Sequence, residues 1–299
     1  MTRESELLRH IYERSRALRG AGGVEVGPGD DAAVLEWSGG RLLATVDQLV
    51  EGRHYDPRST PVDLIARKAV ARSVSDIAAM GGEPVAALAA GALREGFAQE
   101  NELFDAMARW AGHWRCPLVG GDIARVAGPS VLSVTVLGRM GAGRRPVLRS
   151  GARDGDTVYV TGALGGSLRS GRHLTFEPRL QEGAWLCETL GDRLHAMMDL
   201  SDGLGRDGAR LAEASGVGLE VSLGSLALHS DAPTWREGVG DGEDYELLFA
   251  ASGPVPGRCP TTGTPISSIG KVVEGSGCFG VTERGERVDL GEMGWDHAG

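Results

Sequence analysis

The sequence predicts an α/β protein of two domains, each packing helices on sheet (α+β layers). Three observations carry this. The chain has 299 residues, about twice a common domain length. Strand-like and helix-like segments alternate through both halves. A turn-rich stretch at 141–146, Gly-Ala-Gly-Arg-Arg-Pro, interrupts the pattern near the middle. The expected domains are therefore 1–143 and 144–299.

Residues 1–19 are charged and amphipathic, with Leu7, Leu8, Ile11 and Leu18 as the apolar set, and lack the uncharged run of a signal peptide. Apolar segments at 32–37 and 41–46 flank a Ser-Gly-Gly turn and read as strands. A helix is expected from Pro61 at its first position, with Thr60 as N-cap and Asp63 in the first turn. It runs to Met80 and stops at Gly81-Gly82. Residues 84–93 read as a strand, 99–114 as a helix with Leu103, Phe104, Met107 and Ala111 on one face, and 131–137 as a strand. In the second half, 157–160 reads as a strand, Glu177-Pro178 starts a helix, and 204–214 is a helix ended by Gly216. Residues 219–223 and 245–250 read as strands, and a short one near 269–273 lies in an otherwise turn-rich tail.

Composition narrows the function. Glycine, at 47 residues, is about 16% of the chain against an ordinary 7% or so, which implies many tight turns and close backbone approaches. The net charge of −10 argues against nucleic acid or an anionic membrane surface as partner. Only Lys68 and Lys271 among the 31 basic residues are lysine, a bias attributed first to genomic base composition. Cys116, Cys187, Cys259 and Cys278 are too scattered for a zinc pattern and read as free thiols. No apolar run approaches a membrane span. A soluble, cytoplasmic protein is expected.

Aspartates gather beside glycine or hydroxyl residues: Gly29-Asp30-Asp31, Thr45-Val46-Asp47, Ser75-Asp76, Gly120-Gly121-Asp122 and Asp199-Leu-Ser-Asp202-Gly203. Asp47, Asp122 and Asp199 each follow an apolar segment, where open α/β sheets place their sites. Short carboxylates are the hard oxygen ligands that Mg²⁺ takes together with substrate phosphates. A set of such corners makes an acidic pocket attractive to a polyphosphate once cations are bound. Asp202 reads equally as the N-cap of the helix near Leu204. The run 162–167, Gly-Ala-Leu-Gly-Gly-Ser, is either a phosphate cradle or a strand-to-helix turn. No Walker A or protein-kinase motif set occurs.

The strings GDDAAVL, TVDQLVEGRH, SDIAAMGGEP, LVGGD, LRSGARDGD, MDLSDGL, GEDYELLF and the terminal GWDH occur in an order and spacing that resemble the thiamine-monophosphate kinase family. The resemblance spans nearly the whole chain. Single motifs are shared with the wider superfamily of aminoimidazole ribonucleotide synthetase and selenophosphate synthetase, whereas GEDYEL with the terminal aromatic-Asp-His is more specific. The resemblance implies a two-domain fold like aminoimidazole ribonucleotide synthetase, a homodimer built on the N-terminal domains, and phosphorylation of thiamine monophosphate to thiamine diphosphate with ATP and several Mg²⁺ ions. It places Asp30, Thr45, Val46, Asp47, Asp76, Asp122, Asp199 and Asp202 at metal positions. Gly121, Asp122, Arg149 and Ser201 fall at ATP positions, and His54, Glu243 and Trp295 at substrate positions. No residue is expected to act as nucleophile or base; Arg149 and the metals are expected to neutralise charge. The sequence departs from the family pattern at Val46, Ser73, Ile123 and Ala124, where hydroxyl or amide side chains are common.

Overall fold

The computed structural model describes residue 13 and residues 23–38, 40–141 and 143–295. Except for Glu13, the segment 1–19 lies outside the described residues, as do Asp296 and His297. The first half forms a sheet from β1 (Val24–Val26), β2 (Ala33–Trp37), β3 (Gly40–Val50), β4 (Glu83–Arg94), β5 (Leu118–Val126) and β6 (Val131–Arg139), in the order β1-β2-β3-β6-β4-β5. Helices α1 (Val62–Ala79) and α2 (Glu100–His113) accompany it. Residues alternate across β3: Leu43 and Leu49 are buried, while Val46 and Gln48 are exposed on the opposite face.

Helix α1 begins one residue later than expected. Pro61, at ψ 144°, is still extended and is the N-cap; its carbonyl accepts from Leu64 N at 3.0 Å and Ile65 N at 3.1 Å. No side chain caps this end, so the Thr60 assignment fails. On α2, Leu103, Ala106, Met107 and Ala111 form the buried face; Phe104 falls to its flank and is exposed.

The second half forms a sheet from β7 (Thr157–Thr161), β8 (Leu194–Asp199), β9 (Gly218–Ser222), β10 (Leu247–Ala251), β11 (Ile266–Val273), β12 (Gly277–Val281) and β13 (Arg287–Asp289). Its order is β13-β12-β9-β11-β7-β10-β8. Around it lie α3 (Ser167–Ser170), α4 (Leu180–Leu190), α5 (Leu204–Ser215) and α6 (Trp235–Gly240). Strand β10 is buried on both faces: Leu247, Phe249 and Ala251 join a cluster with Leu186 of α4 and Ala79 of α1, while Leu248 and Ala250 join one with Leu211 of α5. The expected helix start at Glu177-Pro178 moves to Leu180, because Glu177 is drawn aside by Arg67 and by Trp114 Nε1. The tail holds three strands, where the sequence suggested one.

Both sheets are mostly antiparallel; among the described residues the parallel pairs are β4–β5 and β9–β12. The rule that sites sit beyond strand ends of an open parallel sheet therefore does not govern this chain. Asp47 and Asp122 lie within β3 and β5, and only Asp199 ends its strand. Helix α1, buried along most of its length, is one structural link between the halves. Its Lys68, Arg72, Ser75 and Asp76, at helical spacing on one face, carry polar contacts to both halves.

Candidate active site

Three carboxylates converge where α1 meets the second sheet. They are Asp31 from the loop before β2, Asp76 from α1 and Asp199 from the end of β8, with ligand oxygens all within 4.8 Å of one another. Ser75 Oγ donates to Asp199 at 2.5 Å, and Thr45 Oγ1 donates to Asp76. Burial, then the neighbouring carboxylates, push the Asp76 carboxyl well above the ordinary range, and burial followed by Asp31 does the same for Asp199. Hard oxygens gathered at this spacing from separate elements fit a divalent cation, which would relieve their repulsion. The resemblance places Asp30 at a metal position, and the structure adds its neighbour Asp31 to the carboxylates gathered here.

Arg149 holds both aspartates. Its guanidinium holds Asp31 with two bonds, Nη2–Oδ1 at 2.8 Å and Nε–Oδ2 at 3.1 Å. Its backbone N–H donates to both oxygens of Asp30, at 3.1 and 3.2 Å. Asp30 is pushed up to about 7, by burial first and then by Asp31, with Arg149 opposing. In this structure Arg149 thus orients the acidic loop.

Asp47 lies on the α1 side of β3, 3.5 Å from Arg72 Nη2. Val46 points to the opposite face, so only its backbone is available on the Asp47 side. Ser73 is fully buried and donates to the Val134 carbonyl at 2.7 Å, which turns it toward the sheet. Asp122 is in register with Ala90, Ser133 and Gln48, on the exposed face of the sheet and three strand spacings, about 14 Å, from β3. It does not join the carboxylate cluster within one chain. Ile123 and Ala124 are exposed on the same strand. A Cβ at Gly121 would collide with the Ala89 carbonyl, so close strand approach accounts for that glycine.

Asp202 is not an N-cap. Gly203 occupies that position at φ 107°, where an added Cβ would sit 2.8 Å from the Val239 carbonyl. Asp207, one turn into α5, reaches back to Asp202 N at 2.9 Å and Gly203 N at 3.2 Å. Asp202 pairs with Arg210 at 2.5 Å, and Arg210 also holds Asp207 at 2.9 Å. Burial first, then Asp202, lifts Asp207 to about 7. The 162–167 run is a turn whose anion partners are the chain's own: Gly165 N and Gly166 N donate to Asp244 and Asp241.

The predicted substrate residues meet across the two halves. Lys68 Nζ donates to the His54 carbonyl at 2.8 Å and to the Glu243 carboxylate. His54 Nδ1 accepts from Val50 N at 2.8 Å. Glu243 and Tyr245 sit at φ 56° and 52°, a left-handed geometry costly for side-chain-bearing residues. It is held by Glu243 N to the Ser201 carbonyl at 2.7 Å and Tyr245 N to the Leu200 carbonyl at 2.8 Å. This geometry also moves the expected strand start from 245 to Leu247. Trp295 N donates to the Asp202 carbonyl at 2.8 Å, and the Arg53 guanidinium lies 5.8 Å from the Trp295 ring centre. The C-terminal tryptophan therefore returns to the His54 loop. Sequence reasoning missed Arg72 and Tyr245, whose Nε and Oη are buried without a hydrogen-bond partner. The only signal for them was a polar helix face and a tyrosine inside an acidic motif.

Residues 29–140 match the family described as AIR synthase related protein, N-terminal domain. The thiamine-monophosphate kinase of Rhodopirellula baltica is 36% identical over 308 residues, covering 95% of each chain. That of Mycobacterium tuberculosis is 36% identical, covering 93% of this chain and 92% of its own. The solved structure of AaThiL complexed with AMPPCP and TMP superposes with a TM-score of 0.80 at 30% identity, covering 96% of each chain. With such identity sustained along almost the whole length, the chain belongs to the thiamine-monophosphate kinase family.

Proposed function

We propose that this chain transfers the γ-phosphoryl group of ATP to thiamine monophosphate, giving thiamine diphosphate and ADP. The observation that carries the reading is the Asp31–Asp76–Asp199 cluster, assembled from both halves on the helix that also carries the Lys68–Glu243 contact. The likeness to AaThiL complexed with AMPPCP and TMP supports the same pair of substrates. Asp30, Thr45, the Val46 carbonyl, Asp47, Asp76, Asp199 and Asp202 would hold Mg²⁺, with Asp31 added to the set. Bound there, Mg²⁺ supplies charge neutralisation on the phosphoryl oxygens. Gly121, Asp122, Arg149 and Ser201 would bind ATP, and His54, Glu243 and Trp295 the acceptor. The aromatic face of Trp295 suits a cationic thiazolium.

In the proposed step an oxygen of the acceptor phosphate forms a bond to the γ-phosphorus while the bond to the ADP oxygen breaks. ADP departs with that electron pair. The acceptor is already an anion at neutral pH, so no residue needs to remove a proton. Residues 1–143 and 144–299 would then work as two domains closing one site, and catalysis is in-line positioning plus charge neutralisation.

A homodimer fits the exposed apolar side chains Val46, Val85, Leu88, Val119 and Ile123 on the first sheet, which ends in the edge strand β5. It would also bring partners to Asp122, which stands apart in one chain. No helix among the described residues is long and apolar enough to cross a membrane. Incubation with Mg-ATP and thiamine monophosphate tests the reading. Thiamine diphosphate with stoichiometric ADP is expected; nucleotide binding without turnover refutes it.

A further inference from the structure

All but two of the 31 basic residues are arginine, and one of the two lysines, Lys68, is fully buried. Base composition accounts for the arginines but not for a lysine at this enclosed position. The geometry does. Lys68 Nζ meets two acceptors from different halves, the His54 carbonyl at 2.8 Å and the Glu243 carboxylate. An ammonium group concentrates three donors at one compact point, whereas a guanidinium spreads five over a plane. Glu243 is gripped at three places: its carboxylate by Lys68, its N–H by the Ser201 carbonyl, and its carbonyl by Ser167 Oγ at 2.6 Å. A cavity of about 410 Å³, lined by His54, Tyr55, Leu168 and His173 among others, opens beside this contact.

A buried ion pair is weak evidence for stability, because apolar residues of similar volume often serve as well. Its retention at the junction of two loops points to placement. We propose that Lys68 is a positioning residue for the acceptor, fixing Glu243 and the His54 loop relative to each other without itself touching substrate. The inference rests on the reading of His54 and Glu243 as acceptor-binding residues.

The test is steady-state kinetics of the full-length protein with each substrate varied separately. The proteins are wild type, Lys68→Met, Lys68→Arg, Glu243→Gln and the double variant Lys68→Met/Glu243→Gln, with melting temperatures recorded alongside. Lys68→Met should raise KM for thiamine monophosphate about tenfold and leave KM for ATP within about twofold. The double variant should fall short of the product of the two single effects, because both changes break the same contact. Should Lys68→Met fail to fold, Lys68→Arg keeps the charge and should show the same acceptor-specific rise. Folded Lys68 variants that lose only kcat, with both KM values unchanged, overturn the proposal. If Glu243→Gln raises the acceptor KM and the Lys68 variants do not, the proposal alone fails. An unchanged acceptor KM in Glu243→Gln removes the reading of Glu243 and the proposal with it.

Discussion

Replacing Asp199 by asparagine should make the metal-free protein more stable while abolishing its activity. Asp199 lies within 4.8 Å of both Asp31 and Asp76, measured between ligand oxygens. Two full charges at that distance repel by about 3.5 kcal/mol at an effective dielectric constant of about 20. Burial raises the Asp76 and Asp199 carboxyls well above their ordinary range, which reduces the charge they carry and so the repulsion felt. A net gain of about 2–4 kcal/mol follows. For a chain of this size it corresponds to a melting temperature higher by roughly 3–6 °C. Asparagine keeps an oxygen for the Ser75 hydroxyl, so that bond survives.

The pH dependence has a definite sign. A carboxyl group whose folded value is raised contributes stability at low pH that is lost as pH rises through that value. Asp30, Asp207 and Asp244 lie at about 7, each lifted first by burial, and they follow the same sign. The wild type should therefore lose stability between about pH 5 and 8 without divalent cations, and the advantage of Asp199→Asn should widen over that range. Thermal melts in chelator at several pH values, repeated with Mg²⁺, measure both effects. Asp199→Asn melting at or below wild type at pH 8 in chelator would refute the repulsion argument. Equal Mg²⁺ stabilisation of both proteins would refute the metal site.

Asp47→Asn or Asp122→Asn should lower turnover by about 10²-fold while leaving the fold intact; near-wild-type rates at low Mg²⁺ would remove them from the metal set. Gly203→Ala should destabilise by about 2 kcal/mol, since φ 107° disfavours any Cβ and the Val239 carbonyl is 2.8 Å from where it would sit. Chemical denaturation reads this, and an unchanged midpoint counts against the turn geometry. Val119→Glu with Ile123→Glu should convert a dimer to monomer in light scattering, because both side chains are exposed and apolar on β5. A wild type that is already monomeric refutes the interface.

The legibility of this fold in its sequence was uneven, for physical reasons. Helix α1 could be read because its apolar run ends at Gly81-Gly82; its first residue could not, because Pro61 suits both the last extended and the first helical position. Strand β5 carries almost no buried side chain within one chain, so it shows no alternation to read. The tail strands β12 and β13 are short, and the glycines of β12 read as turn. Most of the acidic corners were visible as Gly-Asp and Ser-Asp pairs. That Asp31 rather than Asp30 faces Asp76 and Asp199 depends on Arg149, well over a hundred residues away. Lys68 stood in a helical apolar run and was marked only by the scarcity of lysine.

The arrangement of α1 has a consequence for recombination between relatives. Its polar face serves Asp199 and Glu243 of the second half through Ser75 and Lys68, yet most of its apolar side chains pack in the core of the first half. A chimera joined in the turn-rich stretch at 141–146 would exchange one sheet cleanly and still leave a foreign helix facing the new carboxylates. The transferable module is therefore the second half together with the α1 face it reads. Grafts between family members should carry residues 68, 72, 75 and 76 along with residues 194–246, although these segments lie on opposite sides of the apparent midpoint.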